Sequence, residues 1–344
     1  MTSKRDIKSM FPSELEEYFL SIGEKSFRAD QVFAWLHSGT DTFADMTNLP
    51  VELRNTLEAG FLITKPELLN KQVSNKDGTV KYLWRVEDSD TVECVLMEYS
   101  HGNTICISTQ IGCKMGCTFC ASAIDGFKRD LSASEMIDQV LFTGLDTGKR
   151  ISNVVLMGIG EPLDNFDNVM RFLQLISHPK GMNIGARHLT ISTCGIIENI
   201  DRIADYDVQL TVAISLHAPD EETRLRLIPA SRNYSIQDLF DAGKRYFGKT
   251  GRRVTYEYAM IDNVNDSPHQ AQMLSRLLKD TGSHLNLILL SNVQENSLKA
   301  STKENVKVFT DILKSNGINF TMRRSLGSDI DASCGQLRRR LLQT

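Results

Sequence analysis

The chain has 344 residues, 41% apolar and 24% charged, enough to bury the core of a large folded unit and unlike a disordered or fibrous composition. No run approaches the roughly 18 apolar residues of a membrane span, and the opening MTSKRDIKSMFPSELEEYF lacks the apolar stretch of a secretory leader. Seven cysteines and a net charge of −4 fit a cytoplasmic protein that uses thiols for metal or redox chemistry rather than a disulfide framework.

Residues 1–66 predict a small helical module. Ser13 caps a helix with apolar positions Leu15, Tyr18, Phe19 and Ile22, ended by Gly23. A second helix runs from Phe27 to Leu36 with Phe27, Val32, Trp35 and Leu36 on one side, and a third opens after Pro50 around Leu53 and Leu57. The module is a candidate RNA contact, although packing alone accounts for its apolar residues. Residues 67–100 change to strand patterning. The turn Asn75-Lys-Asp-Gly78 and the runs Thr79–Val86 and Val92–Met97 predict a short antiparallel sheet linking the module to the core of the chain.

From 101 to 344 strands and helices alternate. The strands are Thr104–Ser108, Asn153–Met157, His188–Ser192, Gln209–Ser215, Arg253–Met260, His284–Leu290 and Asn319–Arg323. The helices are Ser132–Leu145, Phe166–Ile176, Glu198–Asp205, Ser235–Phe247, Pro268–Lys279 and Lys303–Ser315. Alternation means parallel strands joined by crossover helices. The units are too few for a closed eightfold barrel, so the expected class is α/β, an open partial β/α barrel. Chemistry then belongs at the C-terminal ends of its strands, where Cys113, Gly160, Ser192, Ser215 and Asn292 fall.

The densest chemical signal is Cys113-Lys-Met-Gly-Cys117-Thr-Phe-Cys120. Structural zinc wants four ligands, as does a ferredoxin-type cluster; the nearest further cysteine is Cys106, seven residues upstream. Three thiolates on a four-iron cluster leave one iron open, which S-adenosylmethionine (SAM) needs for its amino and carboxylate groups. This spacing resembles the radical SAM signature, whereas a zinc knuckle would need a distant fourth ligand. Gly158-Ile-Gly160-Glu161-Pro162 comes after a strand and is either a plain tight turn or a place where backbone approaches a ligand and Glu161 accepts from the SAM amino group. Taken singly, Cys106 and Cys334 read as small buried hydrophobes, and Cys94 and Cys194 as structural.

Several segments together resemble the RlmN family of radical SAM RNA methyltransferases. They are Phe27-Arg-Ala-Asp-Gln31, Cys106-Ile-Ser-Thr-Gln-Ile-Gly-Cys113, Met157-Gly-Ile-Gly-Glu-Pro-Leu163, Thr190-Ile-Ser-Thr193, Ser215-Leu-His-Ala-Pro219 and Asp329-Ile-Asp-Ala-Ser-Cys334-Gly-Gln-Leu. The resemblance implies methylation at C2 of an adenine in 23S rRNA, and of an adenine beside the anticodon in some tRNAs. It implies a [4Fe-4S] cluster on Cys113, Cys117 and Cys120 and two SAM per turnover, with Cys334 as methyl carrier, Cys106 as the thiol that resolves it through a disulfide, and Glu93 as proton acceptor. Gly160, Glu161, Ser192, Ser215, Leu216 and His217 would contact SAM. The family's Asn-Leu-Ile-Pro-x-Asn run reads Asn286-Leu-Ile-Leu-Leu-Ser291-Asn292 here, which puts Ser291 at the SAM-contacting asparagine position and Asn292 one residue late. Ser333 stands where the family usually has alanine.

The implied partners are RNA and an electron donor such as flavodoxin or ferredoxin, with the chain a monomer and no membrane involved. Net charge argues against nucleic acid if taken globally, yet Arg252–Arg253, Arg323–Arg324 and Arg338–Arg339–Arg340 concentrate positive charge locally. Two other readings stay open on the sequence: C8 methylation of the same adenine, as in the related Cfr group, and a non-catalytic metal-binding RNA module.

Overall fold

The computed structural model describes residues 4–206, 209–291, 293 and 295–337. One sheet organises it, built from β1 (Glu67–Val73), β2 (Val80–Arg85), β3 (Thr91–Tyr99), β4 (Gly102–Cys106), β5 (Ile151–Leu156), β6 (Leu189–Thr193), β7 (Thr211–Ser215), β8 (Thr255–Met260), β9 (His284–Leu289) and β10 (Phe320–Met322). Each strand pairs with its neighbour in sequence, from β1 at one edge to β10 at the other. Pairing is antiparallel from β1 to β4 and parallel from β4 to β10. The expected partial barrel is there, but the antiparallel strands are not a separate linker sheet: β4 hydrogen-bonds to β3 on one side and β5 on the other.

The N-terminal helices are α1 (Pro12–Ser21), α2 (Phe27–Ser38) and α3 (Val51–Gly60). Those between the parallel strands are α4 (Ala133–Thr147), α5 (Phe166–Ser177), α6 (Ile197–Ile203), α7 (Glu221–Leu227), α8 (Ile236–Thr250), α9 (Pro268–Leu278) and α10 (Lys303–Ser315). Local chemistry sets several ends. Ser132, Ser235 and Ser267 each accept from a backbone N–H three residues on, while Glu135, Asp238 and Gln270 return the bond. Gly39, Gly148 and Gly251 take the left-handed turn that stops α2, α4 and α8. The sequence reading did not anticipate α7; its seven residues are too short for a convincing apolar stripe. Among the described residues no helix is long and apolar enough to cross a membrane.

The helical module shares one continuous core with the barrel, running from Leu15, Phe19 and Phe33 through Ile105 and Val154 to Phe309. A buried Lys8–Asp138 ion pair bolts the module to α4, and Lys8 Nζ also donates to Thr64 O at 2.6 Å. Arg171 on α5 adds a bond to Glu14 at 2.6 Å. His37, on α2, is buried with neither ring nitrogen hydrogen-bonded, and burial pushes its imidazole down to about 3. The unfolded imidazole takes a proton below about pH 6.5 and the folded one does not until about 3, so this contribution to stability is full above pH 6.5 and is lost as pH falls. The slope is at most about 1.4 kcal/mol per pH unit. Melting temperature should therefore drop between pH 7.5 and 5, and His37→Phe should make that dependence shallower, leaving the part due to His217, which burial also lowers to about 3.

Candidate active site

The C-terminal ends of the parallel strands converge on an open cavity. The loop after β4 brings Cys113, Cys117 and Cys120 to its wall; the turn after β5 brings Gly160 and Glu161. Ser192 on β6, Ser215 and His217 at the end of β7, and Ser291 after β9 complete the ring of expected residues. Two expected positions differ. Leu216 is fully buried, does not line the cavity, and serves through its backbone, its N–H donating to Glu257 O at 3.0 Å. Asn292 lies outside the described residues.

Close backbone approach explains the glycines. Gly160 has φ +103°, and a Cβ there would stand 2.6 Å from Gln110 Cβ. Gly112, at φ +74°, lets the cysteine loop cross Gly126, whose carbonyl oxygen would lie 1.6 Å from an added Cβ. Burial pushes the Cys113 thiol up to about 12 and those of Cys117 and Cys120 upward as well. The three sulfurs border one cavity. Three thiolates would suit a four-iron cluster that keeps one iron for a small ligand, where a structural zinc wants a fourth protein donor.

The buried Glu161 carboxylate faces the same space. Its Oε2 accepts from Cys194 N–H at 2.8 Å and its Oε1 from Leu163 N–H at 3.0 Å; burial pushes its pKa up while these bonds oppose. It fits an ammonium group. His217 sits in the left-handed region at φ 55°, where its Nδ1 accepts from Ala259 N–H at 2.9 Å and burial lowers it to about 3. The ring is a neutral donor through Nε2, edge-on to Phe119 with centroids 4.9 Å apart.

Cys334 borders this cavity and also a second, narrower chamber, which it shares with Cys106, Val95, Met97 and Tyr99. Arg323, bonded to Glu257 at 3.4 Å, lies on the wall common to both. Cys334 is exposed and Cys106 half-buried, both as free thiols. Burial, with Cys334 alongside, pushes the Cys106 thiol up to about 12. The loop carrying Cys334 is tied down on two sides. Ser74 Oγ donates to Asp329 Oδ1 at 2.7 Å and Gly327 N–H to Asp77 Oδ2 at 3.0 Å; across the site, Ala121 N–H donates to Gly335 O at 2.8 Å and Ser122 Oγ to Leu337 O at 2.7 Å.

Glu93 lies on β3 with its side chain 1% exposed, paired to Lys81 at 3.1 Å and two residues from the chamber-lining Val95. Sequence reasoning missed two residues that border or brace the cavity. Cys194, read as structural, lines the main cavity with its sulfur 3.4 Å from Met115 Sδ; Cys94 is fully buried beside Trp84, as a structural thiol would be. Arg224, 1% exposed, donates to Ser215 O, Leu216 O and Cys194 O at 2.7, 2.5 and 2.7 Å, pinning the ends of β6 and β7. Nothing in its sequence context marks it, since all three acceptors are backbone. Arg224→Met would orphan these carbonyls at roughly 1–3 kcal/mol each, and should lower both the melting temperature and the affinity for SAM read by equilibrium dialysis.

A radical SAM superfamily model matches residues 107–272, and a ribosomal RNA large subunit methyltransferase N-terminal domain model matches residues 6–63. A probable dual-specificity RNA methyltransferase RlmN from Alkaliphilus oremlandii is 48% identical over 340 residues, covering 99% of each chain. One of the same description from Lachnoclostridium phytofermentans is 47% identical over 340 residues, covering 98% of this chain and 96% of the relative. A solved radical SAM methyltransferase from Sphaerobacter thermophilus matches with a TM-score of 0.91 at 39% identity, over 96% of this chain and 98% of that one.

Proposed function

Since the chain belongs to the RlmN family of radical SAM RNA methyltransferases, we propose that it methylates C2 of an adenine in 23S rRNA, and an adenine beside the anticodon of some tRNAs, with Cys334 as methyl carrier. The observation that carries this reading is the place of Cys334 on the wall of both chambers, between the three-cysteine loop and Cys106. Cys113, Cys117 and Cys120 would hold the [4Fe-4S] cluster, and Gly160, Glu161, Ser192, Ser215, His217 and Ser291 would surround SAM. When bound, these cofactors supply a 5′-deoxyadenosyl radical able to abstract hydrogen from a methyl group.

Adenine C2 carries no nucleophilic lone pair, so direct displacement on a sulfonium cannot methylate it. Cys334 takes a methyl group first, by displacement from one SAM; a second SAM is consumed later in the same turnover. Once activated by hydrogen loss, the carbon on the Cys334 sulfur bonds to C2 and joins protein to RNA. Glu93 takes the C2 proton, and the unpaired electron that the addition leaves on the ring would pass back to the cluster that Cys113, Cys117 and Cys120 would hold. The Cys106 thiol then gives up its proton and attacks the Cys334 sulfur, an S–S bond forms as S–CH2 breaks, and the carbon that keeps the bonding pair takes up a proton to become the new methyl. A flavodoxin- or ferredoxin-type donor would supply electrons. We place this chemistry in the cytoplasm, carried out by a monomer.

The test is anaerobic incubation of the reconstituted protein with SAM, reductant and an rRNA fragment, followed by chromatography and mass analysis of nucleosides. 2-Methyladenosine is the expected product. 8-Methyladenosine would overturn the C2 assignment, and about one zinc per chain with no labile sulfide would overturn catalysis by a cluster.

A further inference from the structure

The interior face of the antiparallel strands holds a charge pair that the proposed chemistry does not itself require. Lys81 on β2 stands opposite Val95 on β3, and Glu93 stands opposite Leu83, so the two are diagonal neighbours on one face. Their side chains are 3% and 1% exposed and meet at 3.1 Å. Lys81 Nζ also donates to the backbone oxygen of Asp331 at 3.0 Å. Asp331 adopts a left-handed φ of 51° three residues before Cys334. Ala332, next along, packs with Val95, Ile159 and Leu337 over the same face. A single ammonium therefore touches both the proton acceptor and the backbone of the loop that carries the methyl group.

From this geometry we infer that Lys81 is a positioning residue for the release step, fixing the distance between the Glu93 carboxylate and the carbon borne by Cys334. This rests on the reading of Glu93 as proton acceptor. Without the Asp331 bond the loop loses a polar tie to the strands that carry Glu93, while its ties through Asp329 to Ser74, Gly327 to Asp77, Gly335 to Ala121 and Leu337 to Ser122 remain. Those ties leave Cys334 near the main cavity but in a looser register on β3. Methyl loading of Cys334 draws on the main cavity and should persist; proton removal from C2, which needs Glu93 in register, should fail. A lysine that served only to satisfy a buried carboxylate would instead lower every step in proportion to the protein that remains folded.

The experiment compares full-length, cluster-reconstituted wild type, Lys81→Met, Lys81→Arg and Glu93→Gln in single turnover with an end-labelled rRNA fragment. It measures S-methylation of Cys334 by mass spectrometry, covalent protein–RNA species on denaturing gels, and melting temperature. Lys81→Met is expected to load Cys334 normally and accumulate at least about tenfold more adduct than wild type, with Lys81→Arg restoring most release. Release by Lys81→Met at wild-type rate while Glu93→Gln traps adduct would overturn the role of Lys81 alone. Wild-type release by Glu93→Gln would overturn the Glu93 assignment and this inference with it. Equal loss of loading and release in Lys81→Met, tracking its melting temperature, would reduce Lys81 to a structural ion pair. Should Lys81→Met not fold, Lys81→Gln, which can keep the Asp331 bond while losing the charge, is read against the same two rates.

Discussion

Cys106→Ala protein, supplied with SAM, reductant and an rRNA fragment, will accumulate joined to RNA through Cys334. The substitution removes one sulfur from a half-buried position on β4 and leaves the main cavity untouched, because Cys106 lines only the second chamber. Methyl loading and carbon–carbon bond formation should therefore run at near-normal rate for one turnover. What fails is the exit: no thiol remains in that chamber to attack the Cys334 sulfur, among the described residues lining it. Turnover should fall by several orders of magnitude, as expected when a group that acts as part of a chemical unit is deleted. A denaturing gel with labelled RNA reads the shifted band, and nuclease digestion with mass spectrometry locates the link on Cys334. Free methylated RNA at wild-type rate would show that Cys106 is not the resolving thiol.

Replacement of Cys113, Cys117 or Cys120 by alanine will abolish both cluster and methylation. Each sulfur would serve a different iron, so loss of one would leave an iron without its protein ligand. Cys194 lines the same cavity, but its sulfur lies against Met115 and its backbone is committed to Glu161. The variants should purify folded, since the loop is held at Gly112 and by Ala121 and Ser122 rather than by the sulfurs. Iron and sulfide content and the visible absorption of the reconstituted protein check this; a full complement of iron in any of the three would contradict the assignment.

The cysteine loop was legible because its ligands are local: three thiols within eight residues need no knowledge of tertiary structure. The strand–helix alternation was legible for the same reason, since each crossover writes its own periodicity. The continuity of the antiparallel strands with the barrel sheet was not, because β4 shows the same side-chain pattern whether or not a strand lies on each side of it. Glu93 and Lys81 illustrate the limit more sharply. In an isolated strand two charged residues read as solvent-facing, and only the fold turns them inward to meet each other and the Asp331 carbonyl. Arg224 and Cys194 escaped for a related reason: their partners lie on other strand ends and are mostly main chain.

The strictly sequential strand order has a consequence for the timing of assembly. Every strand pairs with the one made just before it, so the sheet can zip up from its N-terminal edge as the chain emerges, without waiting for a distant partner. The Cys334 loop breaks that pattern. Its ties to Ser74, Asp77 and Lys81 reach back across most of the chain, the Gly327–Asp77 bond alone crossing 250 positions. A nascent chain can thus build the main cavity early, while the loop that carries Cys334 arrives late and docks back onto the first strands of the sheet.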